Sequence, residues 1–581
     1  MKEIKQILKA YSQANSKGQG AVLATVVYIE GSSYRAPGAR MLITDEGELT
    51  GAISGGCLES DILRKALMVM QKAQPLLVTY DTSDEDNTLF AVNLGCNGII
   101  HILLEPISEK DKHNPIALLG HVANKRQHAV LTTFFSIEDR ASIQQGTKLL
   151  FSPSGFVASD LSLPLGKNEL EADIRYAWER RSSAFIKFPK TSEDIPEINA
   201  FFEYLTPSVS LVVAGAGNDV LPLVAMANIL GWELTIMDGR PLYANESRFP
   251  SCQLILTDPS MAIGQLQVDE YTAFVLMSHN FEYDKAVLKH ALLSPAKYIG
   301  LLGPSKKRDK ILEELQEEGI GIDGASLEKL HAPIGLDLGS ESSEEIALSI
   351  VSEIQSVFAD SDVEKLKNRK GKIHRRDLGL IHSIKSYGVL ILASGESKRM
   401  GTPKQTIAYK GSTLLRNSAI QAIQLQTAVT MVIIPEGKED IRKELEGLPV
   451  EIVENPGFRE GMSSSIREGI KAIRLNHPHL EFILIMLCDQ PYVDTSHLTK
   501  LVNTQRENSS KVTSSLYEGR KGVPALFHRS LFGQLLALDG DTGAKHLIEK
   551  LGNEVSAVSF PLGAFDVDTP EAKNQLDSIK G

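Results

Sequence analysis

The chain has 581 residues, 42% of them hydrophobic and 23% charged, which is the composition of an ordinary globular protein. At roughly 150 residues per domain, this length predicts three or four domains. The net charge of -12 excludes a broad basic surface of the kind that binds nucleic acid or membranes.

The first predicted domain covers residues 1–110 and combines helices with strands. An amphipathic helix opens it, and a second helix runs from Leu58 to Gln71. Strands are predicted at Ala21–Val27, Arg40–Thr44, Leu76–Tyr80 and Ile99–Leu104. Residues 111–206 contain strand-like segments but no recognisable motif, so their assignment stays open.

A Rossmann-like domain is predicted for residues 207–360, where a strand-turn-helix-strand order begins. The turn contains Gly215 and Gly217, and the second strand ends at Asp238. Glycines that admit a phosphate, followed about 20 positions later by an acidic residue, are typical of dinucleotide binding. Val220 stands where the third glycine of that pattern belongs, so a pterin or its phosphate fits as well as a dinucleotide.

Residues 361–385 are predicted to be a charged linker, because a mostly basic tract runs from Glu364 to Arg376. A phosphate-binding patch is the alternative interpretation of this tract. Residues 386–581 form the last predicted domain, and its first strand is the apolar run Val389–Ala393.

The segment after that strand has the composition of a loop that holds a nucleoside triphosphate. It reads Ser394-Gly395-Glu396-Ser397-Lys398-Arg399-Met400-Gly401-Thr402-Pro403-Lys404. A buried strand fixes where the loop begins, glycines bring the backbone close to phosphate oxygens, and Arg399 and Lys404 supply positive charge. Phosphoryl chemistry needs little beyond positioning and charge, so the loop predicts an enzyme of that class.

Further motifs accompany the loop in the same domain. They are Asn455–Ser465, Leu487–Pro491, Gly522–Phe527, Gly540–Ala544 and Asp566–Pro570. Together with the loop they resemble the molybdenum cofactor nucleotidyltransferases over residues 386–581. The cytidylyltransferase branch fits best, because Pro403 precedes Lys404 and a serine run follows Gly461. Ser394 departs from the pattern, since alanine is typical of the CTP branch and glycine of the GTP branch.

The resemblance implies that CTP reacts with molybdopterin cofactor. It also implies a set of site residues. The catalytic residues would be Arg399, Lys404 and Asp489, and the nucleotide-binding residues Ala393, Ser394, Gly395, Ser397, Gly461 and Ser464. Joining several phosphates needs a divalent cation, and Asp489 and Asp568 are hard oxygen ligands of the type that Mg²⁺ prefers. An isolated aspartate would be a cap or turn residue, but the loop motif favours metal binding. Cys488 is predicted to be a buried strand residue.

Two cysteines near the amino terminus lie in glycine-rich turns. Cys57 follows Gly55-Gly56, and Cys96 lies between Gly95 and Gly98. Local N–H dipoles can lower the pKa of such a thiol and leave it open to a ligand, although a small buried structural thiol is the usual alternative. Arg35 and Arg40 flank Pro37-Gly38 and could pair with a phosphate or, alternatively, with an acidic side chain inside the domain.

These turns resemble the XdhC/CoxI family, accessory proteins of xanthine dehydrogenase and related molybdenum hydroxylases. Later motifs extend the match to about 1–110 and 207–375, and they include residues 215–217, 278–284, 298–308 and 331–339. Asn218 occupies a place usually held by histidine. The family implies binding of molybdenum cofactor, its protection during sulfuration, and its delivery to an apoenzyme. The cofactor-binding residues would be Cys57, Cys96, Arg35, Gly215, Gly217, Asp238 and His279. A hydrogen-bonded structural histidine is an equal alternative for His279.

The predicted fold class is therefore α/β, with an N-terminal α/β domain, a Rossmann-like parallel-sheet domain and a C-terminal doubly wound nucleotidyltransferase domain. The leading hypothesis is a bifunctional molybdenum cofactor maturation protein, in which fusion raises the effective concentration of a labile intermediate at its next site. The alternatives are a sugar- or polyol-phosphate nucleotidyltransferase attached to a binding module, and a non-catalytic cofactor chaperone.

Partners and location follow from the same observations. Expected partners are a xanthine dehydrogenase-type hydroxylase apoenzyme, a cysteine desulfurase and a second copy of the chain. The four cysteines form no C-x-x-C pair, and the first residues lack the apolar core of a signal peptide. No segment approaches roughly 18 uninterrupted apolar residues. A cytoplasmic protein without membrane or nucleic-acid partners is predicted.

Overall fold

The computed structural model describes residues 1–31, 33–56, 58–81, 98–142, 144–158, 165, 167–189, 197–259, 263–368, 380–395, 400–540 and 543–578. The chain divides into two compact units. One holds Met1–Gln19, Leu119–His128 and Leu205–Asp377, and the other holds Gly20–Leu118, Ala129–Tyr204 and Leu378–Gly581. Among the described residues, no helix is both long enough and apolar enough to cross a membrane.

A five-stranded antiparallel sheet begins the second unit, in the order β3-β2-β1-β5-β4. Its elements, with the helix that opens the chain, are α1 (Lys2–Ser16), β1 (Ala21–Gly31), β2 (Arg40–Thr44), β3 (Leu49–Gly51), α2 (Glu59–Lys72), β4 (Leu76–Asp81) and β5 (Gly98–Pro106). Helix α2 buries Ile62, Ala66 and Val69, a spacing that places them on one helical face. The same core contains sheet residues such as Val26 and Ile102.

Residues 129–205, whose assignment the sequence left open, form most of a six-stranded sheet in this unit. Helix α3 (Pro115–Ala123) precedes these residues. Their own elements are β6 (Ala129–Phe135), β7 (Gly146–Ser152), β8 (Gly155–Ala158), α4 (Lys167–Glu179), β9 (Ala184–Lys187) and β10 (Asn199–Leu205). The sixth strand is Leu380–His382, which pairs in parallel with β9. Part of the predicted linker is therefore an edge strand, because its apolar residues find a partner far away in the sequence.

The Rossmann-like domain lies in the first unit and has an all-parallel sheet. Its elements are β11 (Ser210–Ala214), α5 (Val220–Leu230), β12 (Glu233–Met237), β13 (Gln253–Ile255), β14 (Thr272–Leu276), α6 (Phe281–Leu292), β15 (Tyr298–Leu301), α7 (Ser305–Glu317), α8 (Gly324–Glu328), β16 (Leu330–His331) and α9 (Ser343–Phe358). The strand order is β13-β12-β11-β14-β15-β16. The order reverses between β11 and β14, which leaves a crevice at their carboxyl ends.

The last domain contains a seven-stranded sheet in the order β22-β21-β18-β23-β25-β24-β26. With the edge strand described above, its elements are β17 (Leu380–His382), β18 (Tyr387–Leu392), β19 (Ala408–Tyr409), β20 (Ser412–Thr413), α10 (Leu414–Ile423), β21 (Val429–Pro435), α11 (Glu439–Lys443), β22 (Glu451–Asn455), α12 (Met462–Asn476), β23 (Phe482–Leu487), α13 (Thr495–Asn508), β24 (Val512–Tyr517), β25 (Arg520–His528), α14 (Phe532–Leu536), α15 (Ala544–Leu551), β26 (Val555–Ser559) and α16 (Pro570–Ser578). The α/β fold class predicted from the sequence is confirmed.

Strand β18 explains why the sequence there is a continuous apolar run. Val389 and Ile391 belong to one core and Leu390 to the other, so both faces of the sheet are covered. Helix α12 packs closely over one face, since a Cβ on Gly469 would lie 2.5 Å from Cδ1 of Leu390. This packing sets the position of α12 over the sheet.

A buried ion pair joins helix α4 to the last domain within the second unit. Arg506 Nη2 donates to Oδ1 of Asp173 at 2.6 Å, and both side chains are almost fully buried. Asp173 also accepts from the Ser383 hydroxyl at 2.5 Å and from the backbone N–H of Ile384 at 3.0 Å. The carboxylate therefore fixes the start of the transferase domain against α4.

Candidate functional site

Parallel strands bring the predicted transferase residues to one edge of the seven-stranded sheet. Strands β18 and β23 pair in parallel, so the segments that follow them leave the sheet at the same edge. The nucleotide loop begins there at Ala393, and Asp489 follows β23. The N–H of Val567 donates to the Asp489 carbonyl at 3.0 Å, which brings the Asp568 segment to the same place.

Lys404 lies between two of the predicted carboxylates. Its Nζ contacts Oδ2 of Asp489 and lies 2.8 Å from Oδ1 of Asp568. Burial lowers the pKa of Lys404, but the two carboxylates outweigh burial and raise it above its ordinary value. The side chain is therefore an ammonium group that neutralises part of the acidic charge.

Asp566 adds a third carboxyl group at this edge. Burial, followed by the charges of Asp489 and Asp568, raises the pKa of Asp566 to about 7. Among the described residues, the Lys404 ammonium contacts Asp489 and Asp568, and Asp566 adds a third carboxyl group, so the negative potential that remains attracts a further cation.

A divalent cation suits this arrangement. Oδ1 of Asp489 is buried and accepts no hydrogen bond within the described part of the chain, so it is available to a ligand. In that same part of the chain, no three His, Cys, Asp or Glu side chains are placed to hold one ion. Mg²⁺ is commonly held by one or two carboxylates and completed by substrate phosphates and water. Asp489 and Asp568 could hold it in this way.

Buried contacts fix the start of the nucleotide loop. The buried Ser394 hydroxyl donates to the carbonyl of Ile433 at 3.1 Å, so it points into the domain. Gln405 is fully buried, and its Nε2 donates to the carbonyls of Ala393 at 2.7 Å and Gly395 at 3.1 Å. Gly395 is exposed, so a ligand can reach the backbone there.

The first turn of α12 lies at the carboxyl end of β22. Asn455, the last residue of β22, donates from Nδ2 to Oγ of Ser464 at 2.9 Å and of Ser465 at 3.1 Å. Gly461 precedes the helix with a φ of +107°, which glycine adopts readily. Because a helix amino terminus carries positive partial charge, this turn suits an anionic ligand.

The glycine loop of the Rossmann-like domain is tightly built. Gly215 has a φ of +126°, and a Cβ there would lie 2.6 Å from the carbonyl oxygen of Met277. The N–H of Ala216 donates to Oδ2 of Asp238 at 3.0 Å, and Arg240 pairs with the same oxygen at 2.7 Å. The Asp238 carboxylate therefore already accepts hydrogen bonds from other groups of the same chain.

His279 meets an acidic residue across the crevice. Its Nε2 lies 2.8 Å from Oδ2 of Asp219, and its φ is +57°, a conformation that residues other than glycine seldom adopt. Gly217 adjoins the same carboxylate, since a Cβ on Gly217 would lie 2.2 Å from Oδ1 of Asp219. Gly217 and His279 are thus gathered around Asp219, whereas Asp238 is engaged elsewhere.

Comparison with known proteins identifies both halves. The XdhC and CoxI family matches residues 14–81, the XdhC Rossmann domain residues 211–354, and the MobA-like NTP transferase domain residues 389–555. The chain joins XdhC/CoxI-family domains to a MobA-like NTP transferase domain. The resemblances read from the sequence are confirmed.

The XdhC/CoxI half has curated relatives of nearly its own length. A probable xanthine dehydrogenase subunit of Bacillus subtilis is 29% identical over 335 residues, which are 58% of this chain and 92% of the relative. The molybdenum cofactor insertion chaperone PaoD of Escherichia coli is 23% identical over 351 residues, 60% of this chain and 87% of the relative.

The transferase domain has relatives with two different nucleotides in their names. The molybdenum cofactor cytidylyltransferase of Escherichia coli is 22% identical over 183 residues, 31% of this chain and 91% of the relative. A probable molybdenum cofactor guanylyltransferase of Bacillus cereus is 26% identical over 156 residues, 26% of this chain and 73% of the relative. These identities do not separate the two nucleotides.

In the XdhC/CoxI half, Arg40 belongs to an internal ion pair. It is buried, and its guanidinium donates to both carboxylate oxygens of Glu203. The phosphate interpretation is wrong for Arg40, because its charge is neutralised inside the unit. Arg35 is half-buried and stays a predicted cofactor-binding residue.

The Ser54–Glu59 turn is held by the Glu59 carboxylate. Its Oε2 accepts from the Ser54 hydroxyl at 2.6 Å and from the N–H of Leu58 at 3.1 Å.

Four residues predicted for the two sites lie outside the described residues, namely Cys57, Cys96, Ser397 and Arg399.

The sequence motifs missed the roles of Gln405, Asn455, Asp566 and Asp219. Each one directly adjoins or lies within a motif, so proximity was an available signal. Their contacts depend on which neighbouring side chain folds against them, and spacing alone does not reveal that.

Replacing Lys404 by methionine should strengthen the binding of free Mn²⁺, in the absence of nucleotide, by about tenfold or more. The change removes the ammonium that competes for Asp489 and Asp568, and opposite charges a few ångströms apart interact by several kcal/mol at an effective dielectric constant of about 20. The affinity can be measured from the electron paramagnetic resonance signal of unbound Mn²⁺. Lys500→Met, at an exposed lysine of α13, is the control and should bind as the wild type does. Weaker Mn²⁺ binding by Lys404→Met would contradict the metal assignment.

Proposed function

We propose that this protein matures molybdenum cofactor in two steps. The transferase domain joins CMP from CTP to molybdopterin cofactor, giving the cytosine dinucleotide form and pyrophosphate. The XdhC-like half then binds the cofactor for sulfuration and insertion into a xanthine dehydrogenase-type hydroxylase. The observation that carries the proposal is the cluster of Lys404, Asp489 and Asp568 at the sheet edge of a MobA-like domain.

The transfer step follows from the charges at this edge. The terminal phosphate of molybdopterin attacks the α-phosphorus of CTP, a P–O bond forms, the α–β phosphoanhydride bond breaks, and pyrophosphate leaves. Bound magnesium would neutralise charge on the triphosphate. Asp489 and Asp568 would hold the cation, and Lys404 and Arg399 would supply positive charge to the phosphate oxygens.

The names of the relatives support the cofactor and the recipient. One relative is a molybdenum cofactor insertion chaperone and another a probable subunit of xanthine dehydrogenase. We therefore infer that the hydroxylase apoenzyme is a partner. A cysteine desulfurase as the source of the sulfur stays a prediction. Cys57 and Cys96 stay predicted contacts of the cofactor, and a homodimer stays a predicted assembly.

A coupled assay of pyrophosphate release tests this function against the two alternatives. Release should require CTP, Mg²⁺ and molybdopterin together. Release with a sugar phosphate or a polyol phosphate, and none with molybdopterin, would favour a different transferase. Absence of release with every acceptor would favour a non-catalytic chaperone.

CTP should be used in preference to GTP by about tenfold or more in kcat/KM. This expectation rests on the resemblance of Pro403-Lys404 and of the serine run after Gly461 to the cytidylyltransferase branch. Chromatography of products from an equimolar CTP and GTP mixture measures the preference. The Ser394→Ala variant should keep the preference for CTP, because the Ser394 side chain is buried away from solvent. Formation of the guanine dinucleotide alone would show that the branch assignment is wrong.

A further inference from the structure

A small cavity opens at the crevice of the Rossmann-like domain. Its volume is about 120 Å³, and its walls are mainly apolar side chains from α5, α9 and the ends of β14 and β15. The walls include Leu223, Met277, Leu302, Ile346 and Ala347. A crevice where the strand order reverses is the usual position for ligands in open parallel sheets.

Asp219 supplies the cavity with a carboxylate. It is the one charged side chain that lines the cavity among the described residues. His279 Nε2 holds Oδ2 of this carboxylate at 2.8 Å, from the loop that follows β14. The positive φ of His279, +57°, is a backbone strain that persists only where surrounding structure maintains it. His279 therefore acts as a positioning residue for the carboxylate.

The opposite side of the glycine loop is already filled. Arg240 donates to both oxygens of Asp238, and Arg248 donates to the carbonyl of Ala216 at 2.7 Å and to Oδ1 of Asn218 at 2.8 Å. A ribose hydroxyl that donates to Asp238 there would have to compete with Arg240 for the carboxylate. The Asp219 side is where a ligand can enter without breaking these contacts.

The chemistry of the cavity selects the kind of ligand. An inorganic cation would need several oxygen ligands, which apolar walls do not supply. A cavity of about 120 Å³ is larger than a single water molecule needs, so it has room for a small heterocyclic ring. A carboxylate at the edge of an apolar slot suits a flat ring that presents N–H donors.

We propose that this cavity binds the 2-amino-4-oxopyrimidine edge of a pterin, with Asp219 accepting its N–H groups. The inference rests on the proposed function, because the cofactor of that function is a pterin. Guanine presents the same edge, so the ligand chemistry is shared by two sources that an experiment can separate.

Fluorescence titration of the full-length protein with 6-hydroxymethylpterin tests the proposal. Asp219→Asn should weaken binding about tenfold or more, because an amide has one accepting oxygen and a donating NH₂ group, so it cannot accept both N–H groups, while the side chain keeps nearly the same size. Ala347→Leu should also weaken binding, by filling the slot while leaving the carboxylate in place. Asp309→Asn, at an exposed carboxylate of the same domain, should bind as the wild type does.

Competing ligands complete the test. 2,4-Dioxopteridine, which lacks the amino group, should compete at least about tenfold less well than the pterin. If guanosine competes as well as the pterin, the site recognises this edge on either ring system. If guanosine does not compete, the site also recognises the pteridine ring itself. Equal pterin binding by wild type and Asp219→Asn, or none by the wild type, would overturn the inference. Pyrophosphate release by the wild type is measured in parallel, and its absence would instead overturn the proposed function.

Discussion

Replacing Asp489 by alanine is expected to lower nucleotide transfer by about 10²-fold or more. The variant lacks the buried carboxylate whose Oδ1 is available to a cation, and charge stabilisation by a bound metal contributes several kcal/mol to such reactions. The rate of pyrophosphate release at saturating CTP, Mg²⁺ and molybdopterin measures the loss.

Asp440→Ala is the matched control for this change. Asp440 is an exposed carboxylate on α11 in the same domain, so its loss should leave the rate within about twofold, since surface substitutions away from a site change free energies by roughly 0.5 kcal/mol at most. A folded Asp489→Ala protein with near-normal transfer would refute the assigned role.

Replacing Arg506 by alanine should destabilise the second unit by about 3–5 kcal/mol. The change leaves Asp173 buried without its guanidinium partner, and an unpaired buried charge costs far more than the intact pair contributes. Arg506 also lies over the ring of Tyr176, with 4.9 Å from Cζ to the ring centroid, so packing is lost as well. Urea unfolding, followed by circular dichroism, measures the free energy of unfolding.

Arg175 offers a control on the same helix as Asp173. It pairs with Glu171 at 2.6 Å, but its side chain is 59% exposed. Arg175→Ala should therefore cost no more than about 1 kcal/mol, as is usual for surface pairs. If Arg506→Ala and Arg175→Ala lower the free energy of unfolding equally, burial of the Arg506–Asp173 pair adds nothing to the stability of the second unit.

The sequence indicates part of the transferase edge, because a segment that follows a parallel strand leaves the sheet at a known edge. Asp489 comes just after the buried strand β23, and the nucleotide loop leaves the parallel strand β18 at the same edge. Asp568, predicted near the end of a strand, lies in no strand, and its segment reaches this edge through the N–H of Val567, which donates to the Asp489 carbonyl. Motif spacing therefore places the loop and Asp489 at one edge, but it does not show that Lys404 contacts both Asp489 and Asp568. The sequence does not show which of the predicted nucleotide-binding residues face a ligand. The Ser394 side chain, for example, points into the domain because it donates a hydrogen bond to the neighbouring strand β21.

Long-range pairs account for most of what the sequence could not show. Arg506 and Asp173 are 333 residues apart, and Arg40 and Glu203 are 163 apart. The pairing of Leu380–His382 with β9 has the same origin. Single-sequence patterns report which segments are strands, but they do not report which distant strand or charge each one meets. The domain boundaries read from the sequence accordingly stay predictions.

Mass spectrometry of the reaction product tests the central claim most directly. The full-length protein is incubated with molybdopterin, Mg²⁺ and each of the four nucleoside triphosphates in separate reactions. We predict a new species with the mass of molybdopterin cytosine dinucleotide in the CTP reaction, accompanied by an equal amount of pyrophosphate. Unmodified molybdopterin in all four reactions, with a folded protein, would contradict the claim that this chain is a molybdenum cofactor nucleotidyltransferase.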